Sequence, residues 1–170
     1  TEYQSVSFKS VTKSGSDIEE TSEKSEESAE DKKTNAAESL DKLCEYIKQV
    51  LGEKVLEVKK TSRLAESPVC LSIPEGGMEI RFERFMIENK QLNEARPKIF
   101  EINQNHKIIK KLSDEIMAEN FDKNEISKKK IDETIKLLFA QANIIEGEPV
   151  PDIKEYANNI NKLIELSLVA

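Results

Sequence analysis

Few residues of this 170-residue chain have a type and spacing that could do chemistry. His106 is the only histidine, and an imidazole base needs a partner that orients it. Standing just after the apolar run that ends at Asn103, it reads better as a capping or hydrogen-bonding residue than as a catalytic base. Cys44 and Cys70 are the only thiols. Together with His106 they lack the paired spacing of a zinc site, and two cysteines make no disulfide framework, which suits a reducing compartment. Cys44 also falls on the apolar stripe of its segment, where a thiol behaves as a small hydrophobe. Carboxylates are plentiful but scattered over polar faces, so no acid–base pair can be read from them. Gly76-Gly77 alone makes neither a phosphate loop nor a dinucleotide turn. Lys128-Lys129-Lys130 opens a helix, where its charge opposes the helix dipole. With a net charge of −7, a solvated basic face is the better reading of that run than a nucleic-acid site. No catalytic constellation, metal set or cofactor cradle emerges.

What the sequence offers instead is apolar surface. After Gly76-Gly77 the spacing predicts a helix reading Met78-Glu-Ile-Arg-Phe82-Glu-Arg-Phe85-Met86-Ile-Glu-Asn. At about 100° per residue Met78, Phe82, Phe85 and Met86 share one face, with Ile80 and Ile87 opposite. Glu79, Glu83 and Lys90 line one flank; Arg81, Arg84 and Glu88 line the other. On periodicity alone the Met/Phe face is core. Against that, Ile80 and Ile87 already supply a docking face, and methionine with phenylalanine makes an adaptable surface. Near the end of the chain, Ile153, Tyr156, Ala157, Ile160, Leu163, Ile164 and Leu168 form a broad helical stripe. The helix before it carries Ile131, Ile135, Leu138, Phe139, Ala142 and Ile145 on one face, and Leu137 with Ile144 on a second. A short Pro-rich loop makes these two an antiparallel hairpin. Its apolar surface exceeds what a small sheet covers, so it is either all core or paired with a symmetry mate as a four-helix bundle.

The elements that must position these faces predict an α+β fold. An N-terminal helix carries the stripe Leu40, Leu43, Cys44, Ile47, Val50 and Leu51 and closes at Gly52. Strands follow over Val55–Lys60 and Pro68–Ile73, then the two-faced helix, broken at Arg96-Pro97. A third strand spans Lys98–Asn103, with Ile99 and Phe100 on opposite faces. Three helices complete the domain. The first is capped by Asn103 or Asn105 and bears Ile108, Ile109 and Leu112. The second is capped by Ser127 and ends at Gly147, and the last opens at Pro151-Asp152 and runs to about Leu168. Order is expected from about Ala36, so residues 36–170 form the domain. Residues 12–35 are Ser, Thr, Glu and Lys with one Ile and read as an unstructured acidic linker. Residues 1–39 hold ten acids against five lysines, so most of the acidity lies there. Residues 1–11 alternate weakly and read as the end of a preceding domain. No apolar run reaches the roughly 18 residues of a membrane span, and no signal peptide is seen. The chain begins at Thr1 and reads as a piece of a longer protein.

Several motifs in order carry a resemblance. They are Ile47-Lys-Gln-Val-Leu-Gly-Glu-Lys-Val55, Arg63-Leu-Ala-Glu-Ser-Pro68-Val-Cys, Met78…Phe82…Phe85-Met86, and Ile99-Phe-Glu-Ile-Asn103-x-x-His106. Together they resemble the C-terminal domain of the ninety-kilodalton heat-shock chaperones, in its bacterial branch, from about Leu40 to Ala170. Tyr3-Gln-Ser-Val6 resembles the end of that family's middle domain. The resemblance implies a homodimer formed by the last two helices, with Leu137, Ile144, Ile153, Tyr156, Ile160, Leu163, Ile164 and Leu168 at the interface. It also implies that Met78, Phe82, Phe85 and Met86 contact unfolded or partly folded client proteins. ATP and Mg²⁺ would belong to an N-terminal domain of the parent, with no cofactor here and no enzymatic role for this stretch. Ending at Leu166-Ser-Leu-Val-Ala170, the chain carries neither an acidic co-chaperone pentapeptide nor a retention signal, which favours the bacterial cytoplasmic branch, while its negative charge and lack of a long apolar run speak against nucleic-acid and membrane partners. Residues 113–125 match the family poorly. Two rival readings are a small enzyme with a cleft between sheet and helices, and an adaptor binding nucleic acid through Lys107, Lys110, Lys111 and Lys128–Lys130.

Overall fold

A computed structural model describes the backbone of residues 2–3, 6–7 and 30–169, and the side chains of residues 37–121 and 123–168. Two short strands, β1 (Glu2–Tyr3) and β2 (Val6–Ser7), pair antiparallel. Helix α1 spans Glu30–Leu51, so helical backbone begins six residues before the expected start near Ala36. The rest of the predicted linker lies outside the described residues. Leu43, Ile47 and Leu51 of α1 are buried, and Leu40, Cys44 and Val50 pack beside them, as the 3.6-residue stripe requires. Gly52 takes φ +56° where α1 gives way to a tight turn, a conformation that favours glycine. Lys48 Nζ donates to the Gly52 and Val55 carbonyls at 2.8 and 2.6 Å and holds that turn to the next strand.

The sheet comprises β3 (Val55–Thr61), β4 (Val69–Ser72) and β5 (Lys98–Asn103), in the order β3-β5-β4. β5 runs parallel to β3 and antiparallel to β4, and all six of its residues are buried. Its two faces differ in kind. Phe100 and Ile102, with Val69 and Leu71 of β4, face the apolar core. Ile99, Glu101 and Asn103 face the other way with Cys70, Ser72 and Thr61, and four of those six are buried polar residues. Helix α2 (Ile80–Glu88) fills the crossover between β4 and β5.

Three helices follow: α3 (Lys107–Ile116), α4 (Glu125–Glu146) and α5 (Ile153–Val169). α1 lies against β3, α3 and α4; α4 also covers β4 and carries α5. Phe139 of α4 meets Phe100 edge-on, with ring centroids 5.8 Å apart. One cap bears out the reading of His106 as a capping residue, and one differs from expectation. His106 itself caps α3, its Nδ1 accepting from Ile108 N at 3.2 Å, because Asn103 is used elsewhere: its amide donates to the Leu64 and Ser67 carbonyls. Asn124, not Ser127, caps α4, accepting from the amides of Ile126 and Ser127 at 3.2 and 3.1 Å. Gly147 ends α4 in the left-handed region, φ +75°.

Candidate functional site

Helix α2 starts later than periodicity suggested. A turn closed by Gly77 N donating to Pro74 O holds Met78 outside the helix, and Ile80 opens it, buried at 5% exposure. Phe82 and Phe85 stand on the outside at 52% and 56% exposure. Their rings stack on each other, 6.5 Å between centroids and 21° between planes. Met78 and Met86 are half-buried beside this outer face, and Ile87 is half-buried too. At the far end Asn89 donates from both its backbone and its side chain to Phe85 O, and Lys90 takes φ +58° to end the helix.

Glu83, expected on a solvated flank, is buried. Its Oε2 accepts from Lys98 Nζ at 3.0 Å and its Oε1 from Arg96 N at 3.0 Å. Glu148, just after α4, brings a second carboxylate within 3.5 Å of the same ammonium. Beside this cluster is a cavity of about 230 Å³, walled by Leu56, Ile73, Pro74, Met78 and Pro97.

The hairpin turn is built by Gly147, by Glu148 N donating to Asn143 O, and by Asp152, whose Oδ1 accepts from Glu155 N at 2.8 Å to start α5. The side of α5 turned to α4 is mostly polar, with Tyr156 the aromatic exception near Leu137 and Ala140. Lys136 donates to Glu155 at 2.8 Å and Lys162 to Glu133 at 2.7 Å, and Asn159 is buried. Glu155 raises the Lys136 ammonium above its ordinary pKa, and Lys162 draws the Glu133 carboxyl below its own. The apolar stripe therefore lies on the opposite side. Ile153 (70%), Leu163 (51%), Ile164 and Leu168 (81%) are exposed, as is Ile144 of α4, while Leu137, Tyr156 and Ile160 are half-buried. Ile145, expected on the core face of α4, is exposed as well. A helix that docks by charge and shows its leucines outward inverts the usual arrangement.

The structure also reveals a buried polar network that no spacing announced. Arg63 Nε donates to Glu101 Oε2 at 2.9 Å, Ser72 Oγ to Glu101 Oε1 at 2.5 Å, and a further Arg63 nitrogen to Cys70 Sγ at 3.5 Å. Burial, then the Glu101 charge, push the Cys70 thiol up to about 11. Burial does the same to Cys44. Neither thiol is an activated nucleophile. Lys128 lies 5.7 Å over the Phe121 ring, a packing role for the first residue of the basic run. Among the described residues no helix is long and apolar enough to cross a membrane.

Among the described residues the fold thus displays an apolar face on α2 and another on the α4–α5 hairpin. The chain belongs to the Hsp90 family: the family model described as Hsp90 protein matches residues 1–170. Its relatives are bacterial chaperones. It is 41% identical over 174 residues to the chaperone protein HtpG of Orientia tsutsugamushi (strain Boryong), covering 98% of this chain and 26% of that protein. Likewise it is 37% identical to HtpG of Rickettsia akari (strain Hartford), over 99% of this chain and 26% of the relative, and 38% identical to HtpG of Wolbachia pipientis wMel, over 96% and 25%. The chain spans about a quarter of the length of these relatives.

Proposed function

We propose that this chain is the dimerisation and client-binding module of a bacterial, cytoplasmic, ATP-dependent chaperone. The observation that carries the reading is the inverted helix α5, mostly polar toward its own α4 and apolar outward. Two such hairpins placed about a two-fold axis bury Ile144, Ile153, Leu163, Ile164 and Leu168 together, in a self-complementary contact. The exposed Phe82/Phe85 pair, flanked by Met78 and Met86, supports the second half of the reading. Such an adaptable apolar surface suits unfolded or partly folded clients of varied sequence. ATP and Mg²⁺ belong, on this reading, to another part of the parent protein, and this module acts by holding protomers and clients rather than by chemistry.

Sedimentation across concentration tests the dimer. The wild-type chain should be a dimer at micromolar concentration. Leu163 is 51% exposed, so Leu163→Glu should leave the protomer folded. It places two carboxylates in the contact, each with a desolvation penalty of several kcal/mol, and should weaken association at least about a thousandfold. A wild-type chain that is monomeric at micromolar concentration would sink the proposal.

A further inference from the structure

The hairpin turn is tied to α2 directly at Gly147 and through Lys98 of β5 at Glu148. At position 146, burial raises the pKa of the Glu146 carboxyl, and the charge of Arg81 of α2 acts against it. At 147, the Gly147 carbonyl accepts from Arg84 Nη1. At 148, Glu148 shares the Lys98 ammonium with Glu83 of α2, and the three side chains are 8%, 7% and 5% exposed. Against these polar ties, α2 sinks a single apolar residue into the core, Ile80. Its placement therefore owes much to charge and hydrogen bonds, through Glu83 to Arg96 and Lys98 and through Arg84 to the turn. Such ties are directional and few, so the helix moves with the turn that holds it.

We propose that Arg81, Glu83 and Arg84, together with Lys98, latch α2 to the α4–α5 turn, so that the tilt of the Phe82/Phe85 face follows the geometry of the hairpin. This rests on the reading of that hairpin as the dimer contact and of that face as the client site, and it assigns the regulation of the second by the first. Linkage makes the effect reciprocal: whatever shifts the hairpin shifts α2, and a ligand that repositions α2 acts back on the hairpin. Gly147 suits this place twice over. It takes φ +75°, and a Cβ there would lie 3.2 Å from Arg84 Nη1.

Amide hydrogen exchange on the full chain tests the latch without any client. Arg84 is exposed and Glu148→Gln keeps the side-chain shape, so R84Q/E148Q should fold. It should speed exchange of the α2 amides at least about tenfold, the scale of one hydrogen bond to a charged group, while β5 amides keep their rates. R84K with Glu148 intact, which keeps a donor for the Gly147 carbonyl, should stay near wild type. L163E should also speed α2 exchange in the wild-type background and add nothing in R84Q/E148Q. Rates within about twofold of wild type in R84Q/E148Q would overturn the latch, on the same scale. An equal, measurable acceleration by L163E in both backgrounds would overturn it too, since a merely structural role gives that result. A chain found monomeric throughout overturns the dimer reading, and the R84Q/E148Q comparison then judges the latch alone.

Discussion

Replacing both exposed rings of α2, Phe82→Ser with Phe85→Ser, separates a working surface from a piece of core. Full burial of a phenylalanine side chain stabilises by about 1.5–3 kcal/mol. At 52% and 56% exposure, each ring realises about half of that in the folded chain. Part of that half comes from the other ring, 6.5 Å away, so the two losses overlap. Serine and phenylalanine have nearly equal helix propensity, so the exchange adds little on that account. The double variant should therefore cost about 1–3 kcal/mol in all. Phe100 is the internal standard: fully buried and edge-on to Phe139, its change to Ala alone should cost about 3–5 kcal/mol. Urea unfolding of the three chains provides the comparison, with a cooperative transition expected for the double variant. Binding of a chemically unfolded protein, measured on the same samples, should weaken in the double variant and hold in a folded surface control such as Glu88→Gln. A double variant costing more than about 4 kcal/mol, or unfolding without cooperativity, would mean that the face is structural, and the client site would fall with it.

Other outcomes follow from features elsewhere in the fold. Glu101→Ala removes the carboxylate that pairs with the Arg63 guanidinium, whose side chain is 13% exposed, and should cost about 3–5 kcal/mol in denaturant unfolding; a loss below about 1 kcal/mol would refute the importance of the network. His106→Ala removes the cap of α3 and should cost about 1 kcal/mol, with His106→Asn restoring most of it; equal stability of all three would refute the capping role. Both thiols are raised from an ordinary 9.0 to about 11, so at pH 8 the folded chain should react with a thiol reagent about 100-fold more slowly than the unfolded one. The folded chain keeps these two protons where the unfolded chain releases them. Their contribution to stability is therefore complete below pH 9 and declines between pH 9 and 11, which a pH series of unfolding curves would reveal.

How far the sequence was legible depends on whether an element's neighbours lie near it in the chain. β5 was placed residue for residue because an apolar run bounded by Pro97 and a turn can be little else. The outward leucines and isoleucines of α5 were legible as a stripe. Which way the stripe faced was not, since that is decided by Glu133 and Lys136 on another helix. Charged flanks of a helix are usually solvated, so nothing local marks Glu83 as buried. Its burial depends on Lys98 and Glu148, 15 and 65 positions away, and no local pattern encodes such a meeting. The shortened start of α2 follows from the Pro74–Gly77 turn, whose hydrogen bond competes with the helix for Met78. His106 is legible as a cap from its place after β5, whereas Asn124 and Ser127 are both of capping type and residue type alone does not choose between them.

The parallel pairing of β3 with β5 sets an order of events during folding. Val55 meets Lys98 across 43 positions, with β4 and all of α2 inside the loop that closes. Closing a chain of that length costs on the order of 3 kcal/mol in entropy before a single ladder bond forms. The cost falls on the central strand, without which neither edge strand has a partner. A nascent chain can therefore wind α1 while it is still being made, but the sheet must wait until Asn103 has been synthesised. Gly147 and Glu148, which complete the ties of α2, are made later still, so the Phe82/Phe85 helix finds its seat after the sheet has closed. Until that moment its own apolar side chains are exposed, in the condition of the unfolded chains that a chaperone serves.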